Sequence, residues 1–275
     1  MKNNTVYTVI VYTLLIVGLL SVSCHKINTD DFRHKLQNGN ADLRQCVIRE
    51  IGSDSPEVFS RRVFVYNERK DPVSATPAGI ATGSPQWLFF YDKKGRLIQF
   101  IGIYNDTTSF EFWHKYFYDN QDRIIGDSVY DIGNSSHFDE SVQLGLITFT
   151  YDHLNRIIEK SISIRFTPIN NSFSPPPPIN LFYSYNAAGN ASEVAFDNKL
   201  NPSLTNKIWR FLNNDYSINN SLSATAYNEH GFPLHFSNSF ESIRPETFLP
   251  GQGYAGASIQ YDCKDGADMD HGGPY

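Results

Sequence analysis

Apolar and polar residues alternate through most of the segment between residues 45 and 263, with the period of two that belongs to half-buried β-strands. Phe110, Phe112, His114, Tyr116 and Tyr118 share one face of such a segment. Ile147, Phe149 and Tyr151 share a face of another, with Thr148 and Thr150 opposite. Further on, Ile158, Lys160, Ile162 and Ile164 line up against Glu159, Ser161, Ser163 and Arg165, which gives that strand a wet side. The segments run repeatedly into one motif. Tyr91-Asp92-Lys93-Lys94-Gly95-Arg96-Leu97 recurs as Tyr118-Asp119-Asn120-Gln121-Asp122-Arg123-Ile124 and as Tyr151-Asp152-His153-Leu154-Asn155-Arg156-Ile157. Weaker copies start at Tyr185-Asn186 and Tyr227-Asn228, and Tyr261-Asp262 opens a truncated one.

The spacing in these copies has a physical meaning. A type I turn followed by a left-handed residue wants Asp or Asn first, because that side chain bonds the backbone amides ahead of it. It wants Gly, Asn or Asp at the left-handed position, where other side chains collide with the backbone. The first position is held by Asp92, Asp119, Asp152, Asn186 and Asn228, and the left-handed position by Gly95, Asp122, Asn155, Gly189 and Gly231. The expected fold is therefore all-β: an antiparallel meander of hairpins forming one curved or wrapped sheet of about a dozen strands. Two stretches read as loops, the Pro/Gly/Ser-rich run from Asp71 to Pro85 and Ser172 to Pro178, whose four prolines remove ladder donors. A short helix is predicted near 206–212, apolar at Ile208, Phe211 and Leu212.

The chain ends read differently from this body. Lys2 precedes an apolar stretch from Val6 to Val22, and Ser21-Val22-Ser23 stand directly before Cys24. This is the pattern of a lipobox, in which small residues let the scissile backbone lie flat against a signal peptidase. Ser21 departs from it, since Leu is common there and this chain has Leu20 one place earlier. An uncleaved membrane anchor is the alternative, and Tyr7, Thr8, Tyr12 and Thr13 dilute the segment too far to favour it. The expectation is a lipoprotein signal peptide over 1–23, lipidation of Cys24, a polar tether over 24–44, the hairpin domain over 45–263 and a disordered tail over 264–275.

Composition agrees with a β reading: 14 % of residues are aromatic, with 20 Phe and 16 Tyr against 2 Met. A net charge of −6 removes the basic footprint of a nucleic-acid binder. Beyond Cys24 only Cys46 and Cys263 remain, both in strand-like segments. They are a candidate disulfide joining first strand to last, with a pair of free buried thiols as the alternative. Catalytic motifs are not legible. His114, His137, His153, His230 and His235 lack metal-ligand spacing, and His153 and His230 fall at turn tips where a solvated imidazole is expected. Asp139, Glu140, Glu241 and Glu246 are carboxylates of the kind a glycosidase places across a cleft, but no motif singles them out. Trp87 and Trp113 are weak candidates for stacking on sugars, against the commoner role of such rings as core. No metal and no cofactor is expected.

The Tyr-Asp-x-x-Gly-Arg-Leu pattern resembles the YD repeats of Rhs proteins, whose long arrays build β shells around cargo. Taken together, the lipobox, the Cys-led first strand, the YD-like hairpins and the final Tyr-Asp-Cys strand resemble envelope lipoproteins of Bacteroidota. The run from Phe196-Asp197-Asn198 through Trp209-Arg210-Phe211-Leu212 to Tyr227-Asn228-Glu229-His230-Gly231 looks like a recurring block of that family, with Ser203 and Leu204 standing where a Phe often follows the Pro. The resemblance implies a secreted, lipid-anchored, all-β protein of the cell envelope, outer membrane included, and no particular activity. The expected function is non-enzymatic binding of glycan or another envelope component. A scaffold lipoprotein with a protein partner and a glycan hydrolase are the alternatives. The acyl anchor makes the membrane one partner, and which face of it the domain occupies stays open.

Overall fold

The computed structural model describes residues 46–53, 61–80, 83–105, 109–134, 143–164, 176–192, 195–220, 224–236, 240–241, 252–254 and 257–263. The expected signal peptide, Cys24, and the segments expected to be tether and tail lie outside these residues. Thirteen strands form one sheet, as expected for an antiparallel meander. In chain order the first ten are β1 (Cys46–Ser53), β2 (Arg61–Tyr66), β3 (Pro72–Pro77), β4 (Gln86–Tyr91), β5 (Leu97–Ile103), β6 (Ser109–Tyr118), β7 (Ile124–Asn134), β8 (Gln143–Tyr151), β9 (Ile157–Ile164) and β10 (Ile179–Phe182). Each pairs with the one before it. The chain then passes through the helix α1 (Lys207–Leu212) and returns to the other side of β1 as β11 (Ala224–Tyr227), β12 (Pro233–Phe236) and β15 (Ala257–Cys263); β13 (Phe240–Glu241) and β14 (Gln252–Tyr254) pair apart from the main sheet. β15 lies between β1 and β12, so the sheet runs from edge β10 to edge β11 without closing.

One run expected to be loop is a strand. Within Asp71 to Pro85, Pro72–Pro77 forms β3, with Arg62 opposite Pro77 and Tyr66 opposite Pro72. The two prolines stand at its ends, where missing donors cost least, and the small and β-branched residues between them fit a pleated surface. A sixth corner belongs with β3. Asn67 opens it: the Asn67 amide donates to the Asp71 carbonyl (2.9 Å), Asn67 Oδ1 accepts from the Asp71 amide (3.0 Å), and Lys70 takes φ +59°. Lysine seldom adopts that conformation, which is why the pattern did not reveal this copy. Tyr261-Asp262, by contrast, lies within β15.

The sheet is held in its curve by α1. Trp209 meets Phe64 of β2 edge-on at 5.4 Å and Phe89 of β4 at 5.7 Å, while Phe211 meets Tyr116 of β6 at 5.4 Å and Phe149 of β8 at 5.1 Å. A flat sheet would place β2 and β8 about 29 Å apart at six strand spacings. The helix is only about 9 Å long. Six residues can touch all four strands only if the sheet wraps around them. So short a helix does not persist alone. Here Asn206 caps it, accepting from the Ile208 amide (2.8 Å) and donating to the Lys70 carbonyl (2.8 Å), and Asn214 leaves it at φ +49°.

Five of the motif tyrosines fasten their hairpins to the one before. Tyr66 Oη donates to the Ile48 carbonyl (2.6 Å), Tyr91 to Pro72 (2.7 Å), Tyr118 to Leu97 (2.7 Å), Tyr151 to Ile124 (2.6 Å) and Tyr185 to Ile157 (3.0 Å). Tyr227 departs from this, its hydroxyl donating to Asp197 Oδ2 at 2.6 Å. The ladder predicts that Tyr118→Phe keeps the fold, by far-ultraviolet circular dichroism, yet loses about 1–2 kcal/mol in urea unfolding, the usual cost of stranding a partly buried acceptor. An unchanged unfolding midpoint would show that the hydroxyls do not hold the hairpins together.

Candidate functional site

The corners gather at one end of the strands, and their chemistry starts with the first side chain of each. Asp119 Oδ1 accepts from the amides of Gln121 and Arg123, both at 2.9 Å, and its second oxygen accepts from Arg123 Nε at 2.8 Å. Asp92 with Arg96 and Asp152 with Arg156 repeat the arrangement, and Asn186 and Asn228 keep its amide half. The left-handed positions follow: Gly95 at φ +79°, Asp122 and Asn155 at +58°, Gly189 and Gly231 at +83°. Each arginine also leans on the next repeat. Arg96 lies over the Tyr118 ring (4.7 Å) and donates to Asp122 Oδ1 (2.8 Å), Arg123 lies over Tyr151 (5.2 Å) and Arg156 over Tyr185 (4.2 Å).

Between three of these corners and α1 opens a cleft of about 420 Å³, within the range of small-molecule sites. Its floor includes Leu97, Ile124 and Phe211, and its walls carry the rings of Tyr118, Tyr151 and Tyr216. Lys94, Arg96, Arg123, Lys207 and Arg210 supply cationic donors, and Asp122 an acceptor. Arg96 and Arg123 are already bonded within the corners; Lys94 and Lys207 are exposed. Arg210 is different. Its Nε is enclosed with no hydrogen-bond partner, its guanidinium lies 4.9 Å over Tyr216, and burial lowers its pKa from the ordinary arginine value. Burial likewise raises the phenol of Tyr216. The pattern of apolar and polar positions did not mark this cleft, because its members come from three corners and from a helix far along the chain.

A second polar group lies on the sheet face that α1 covers. His114 Nδ1 and Asp127 Oδ2 are 2.8 Å apart, both residues buried, beside a pocket of about 20 Å³ that Lys160 also lines and that has room for one water. Neighbouring strands bring them there, Tyr116 standing opposite Asp127 and Phe149 opposite Lys160. Alternation had put His114 and Lys160 on apolar faces without showing that a carboxylate would meet them.

Cys46 and Cys263 face each other across β1 and β15, with their sulfurs at a bonded distance of 2.11 Å. His230 stands beside them, with a nitrogen within 4.8 Å of both sulfurs and its Nε2 enclosed without a hydrogen-bond partner, so this turn-tip histidine is not the solvated one expected. Bridged sulfurs are not thiolate ligands, and the trio is no metal site in this state. Trp87 and Trp113 are 2 % and 4 % exposed, covered by Arg62 at 3.9 Å and Lys115 at 3.7 Å respectively. Neither ring offers a face to a sugar, because burying an indole stabilises a sheet more than displaying it. His153 is exposed at its corner. Cys24, His137, Asp139, Glu140, Glu246 and the side chain of Glu241 lie outside the described residues.

No protein family and no curated protein sequence matches the chain. Among solved structures, the Photorhabdus luminescens Tc holotoxin pore with a TccC3 mutation aligns at 15 % identity and a TM-score of 0.27, over 64 % of this chain and 10 % of that one. The complex TcdB2-TccC3-Cdc42 aligns at 12 % and 0.23 over 51 % and 8 %, and TcdB2-TccC3-TEV at 12 % and 0.22 over 64 % and 9 %. The chain thus spans about a tenth of the length of the structures it matches. With scores so low, the fold stands on its own strand pairing.

The corner carboxylates make the end of the sheet acid-sensitive. Asp92 is held below the ordinary 3.8 chiefly by the Arg96 amide. Burial alone would raise Asp119 and Asp152, but the amides and guanidinium groups of Arg123 and Arg156 outweigh it and lower both. A carboxylate depressed in the folded state adds stability above its unfolded pKa, and that stability is lost as pH falls through the folded value. Urea stability is therefore expected to fall steeply below pH 3.8, and less steeply in Asp119→Asn, which keeps the corner in the form used at Asn186. Equal acid dependence in the two proteins would remove the corner carboxylates as its cause.

Proposed function

We propose that this is a lipid-anchored protein of the cell envelope, most simply of the outer membrane, that binds an envelope glycan in the cleft between the hairpin corners and α1 without transforming it. The observation that carries the reading is the cleft itself: about 420 Å³, walled by Tyr118, Tyr151 and Tyr216 and fringed by lysine and arginine donors. The exposed Lys94 and Lys207 and the half-buried Arg210 suit the oxygens of a sugar, and the tyrosine edges between the arginines that cover their faces suit its C–H groups. Anchorage through Cys24 is supported by the lipobox, and the polar residues of 24–44 serve as a spacer between lipid and domain. Two or more acyl chains make such an anchor stable.

A scaffold role with a protein partner has one observation of its own. Edge strand β10 is exposed along its length, with Ile179, Leu181 and Phe182 at 51, 42 and 74 %, and an apolar edge of this kind invites a strand from another chain.

Two measurements test the proposal. A radiolabelled fatty acid is expected to enter the protein in cells and to be absent from Cys24→Ala; label in both would remove the anchor. The unlipidated chain is expected to bind polysaccharide from its own envelope, with affinity falling about tenfold in Lys207→Glu combined with Tyr216→Ala, the scale of one or two lost charged contacts. Full affinity in that double variant, or capture of one envelope protein dependent on Phe182 and of no glycan, would replace the cleft by the β10 edge.

A further inference from the structure

Cations line the cleft in unequal states. Arg96 is bonded to Asp92 (2.7 Å) and Asp122 (2.8 Å), and Arg123 to Asp119 (2.7 Å). Arg210 has no such partner: among the described residues no carboxylate or carbonyl accepts from its guanidinium, and its Nε is shut off from solvent. The carboxylate that acts on it, Asp215, is spent elsewhere, accepting from Asn201 Nδ2 at 2.6 Å and from the Ser217 amide at 2.9 Å. Its other neighbours are the Tyr216 ring, whose phenol burial keeps neutral, and the like charge of Arg156.

Arg210 is half-buried with only its Nε enclosed, and holding even part of a guanidinium out of water without an anion is unfavourable, whereas an apolar side chain of similar length would pack there at no such cost. Arginine also presents a planar fork that matches the two oxygens of a carboxylate or phosphate, in a cleft where water is partly excluded and each charged bond is correspondingly stronger.

We propose that Arg210, assisted by the Tyr216 hydroxyl, is the specificity-determining seat for an oxyanion on the saccharide ligand, either the carboxylate of a uronic acid or a phosphate substituent. Lys94 and Lys207, exposed on the rim, steer the anionic ligand inward and make binding salt-dependent. The inference rests on the cleft being a glycan site and adds the class of sugar it selects.

The experiment titrates the unlipidated chain with a neutral oligosaccharide, its uronate counterpart and its sugar-phosphate counterpart, at low and high salt, and repeats the series with Arg210→Met and Arg210→Lys. At least one anionic form is expected to bind about tenfold or more tightly than the neutral one, and the form that does so identifies the source of the oxyanion. Arg210→Met is expected to abolish that preference while melting at the same temperature or higher, and Arg210→Lys to restore part of it. Should Arg210→Met not fold, the wild-type preference, its salt dependence and the Arg210→Lys protein decide the matter. Equal binding of neutral and anionic sugars, untouched by Arg210→Met, overturns the inference and leaves the glycan site standing. Binding of none of the three overturns both.

Discussion

Everything in this sheet turns on a side-chain oxygen that accepts two backbone amides of its own corner. Asp119 shows the bond in full, with Gln121 and Arg123 as donors and residue Asp122 forced to positive φ just beyond. Each such corner reverses the chain and inserts a bulge, and the bulge shifts the register at the tyrosine that leads into it, as between Phe117 and Tyr118. The tyrosine can then reach sideways to the preceding hairpin. Local turn chemistry and long-range assembly are thus one device, repeated from Tyr66 to Tyr185.

The device accounts for the sheet but not for its curvature. Curvature needs something to wrap around, and the chain supplies it by crossing from edge β10 back to β11 beneath the strands. That crossing is rich in buried polar residues, among them Asn190, Asn201, Ser203, Asn206, Asn219 and Asn220. They are tolerable because they bond one another and the backbone: Asn190 Oδ1 accepts from the amides of Ile218 and Asn219, and Asn201 Oδ1 from Ser203. Against that satisfied background, the enclosed Nε of Arg210 is one of the few buried side-chain atoms among the described residues that lack a partner. Real folds break their own packing rules at sites of function more than elsewhere.

The disulfide and the insertion of β15 between β1 and β12 act at the opposite end of the logic. Consecutive hairpins can form with only local contacts, whereas β1 must find β15 across a separation of 217 residues between the bridged cysteines. A covalent link there restricts the unfolded chain most where closing the loop is least favourable. The Phe232 and Tyr261 rings stacked at 5.4 Å pack the same seam.

The sequence by itself determined the corners, the all-β class and the short helix, because each is set by residues a few places apart: an Asp and a Gly three positions on, a period of two, a cluster of Ile208, Phe211 and Leu212. The strand faces were less secure, since a bulge in β6 moved Phe110 off the face of Phe112 and beside Trp113. It could not show Lys70 at a left-handed corner or β3 between two prolines, where tertiary pairing overrode weak local preferences. Only the tertiary structure decided that Trp87 and Trp113 are core, that His114 meets Asp127, and that Arg210 faces the corners of three distant hairpins. Such juxtapositions depend on which strands become neighbours and on how far the sheet curls, and no spacing along the chain encodes a contact made by bending it.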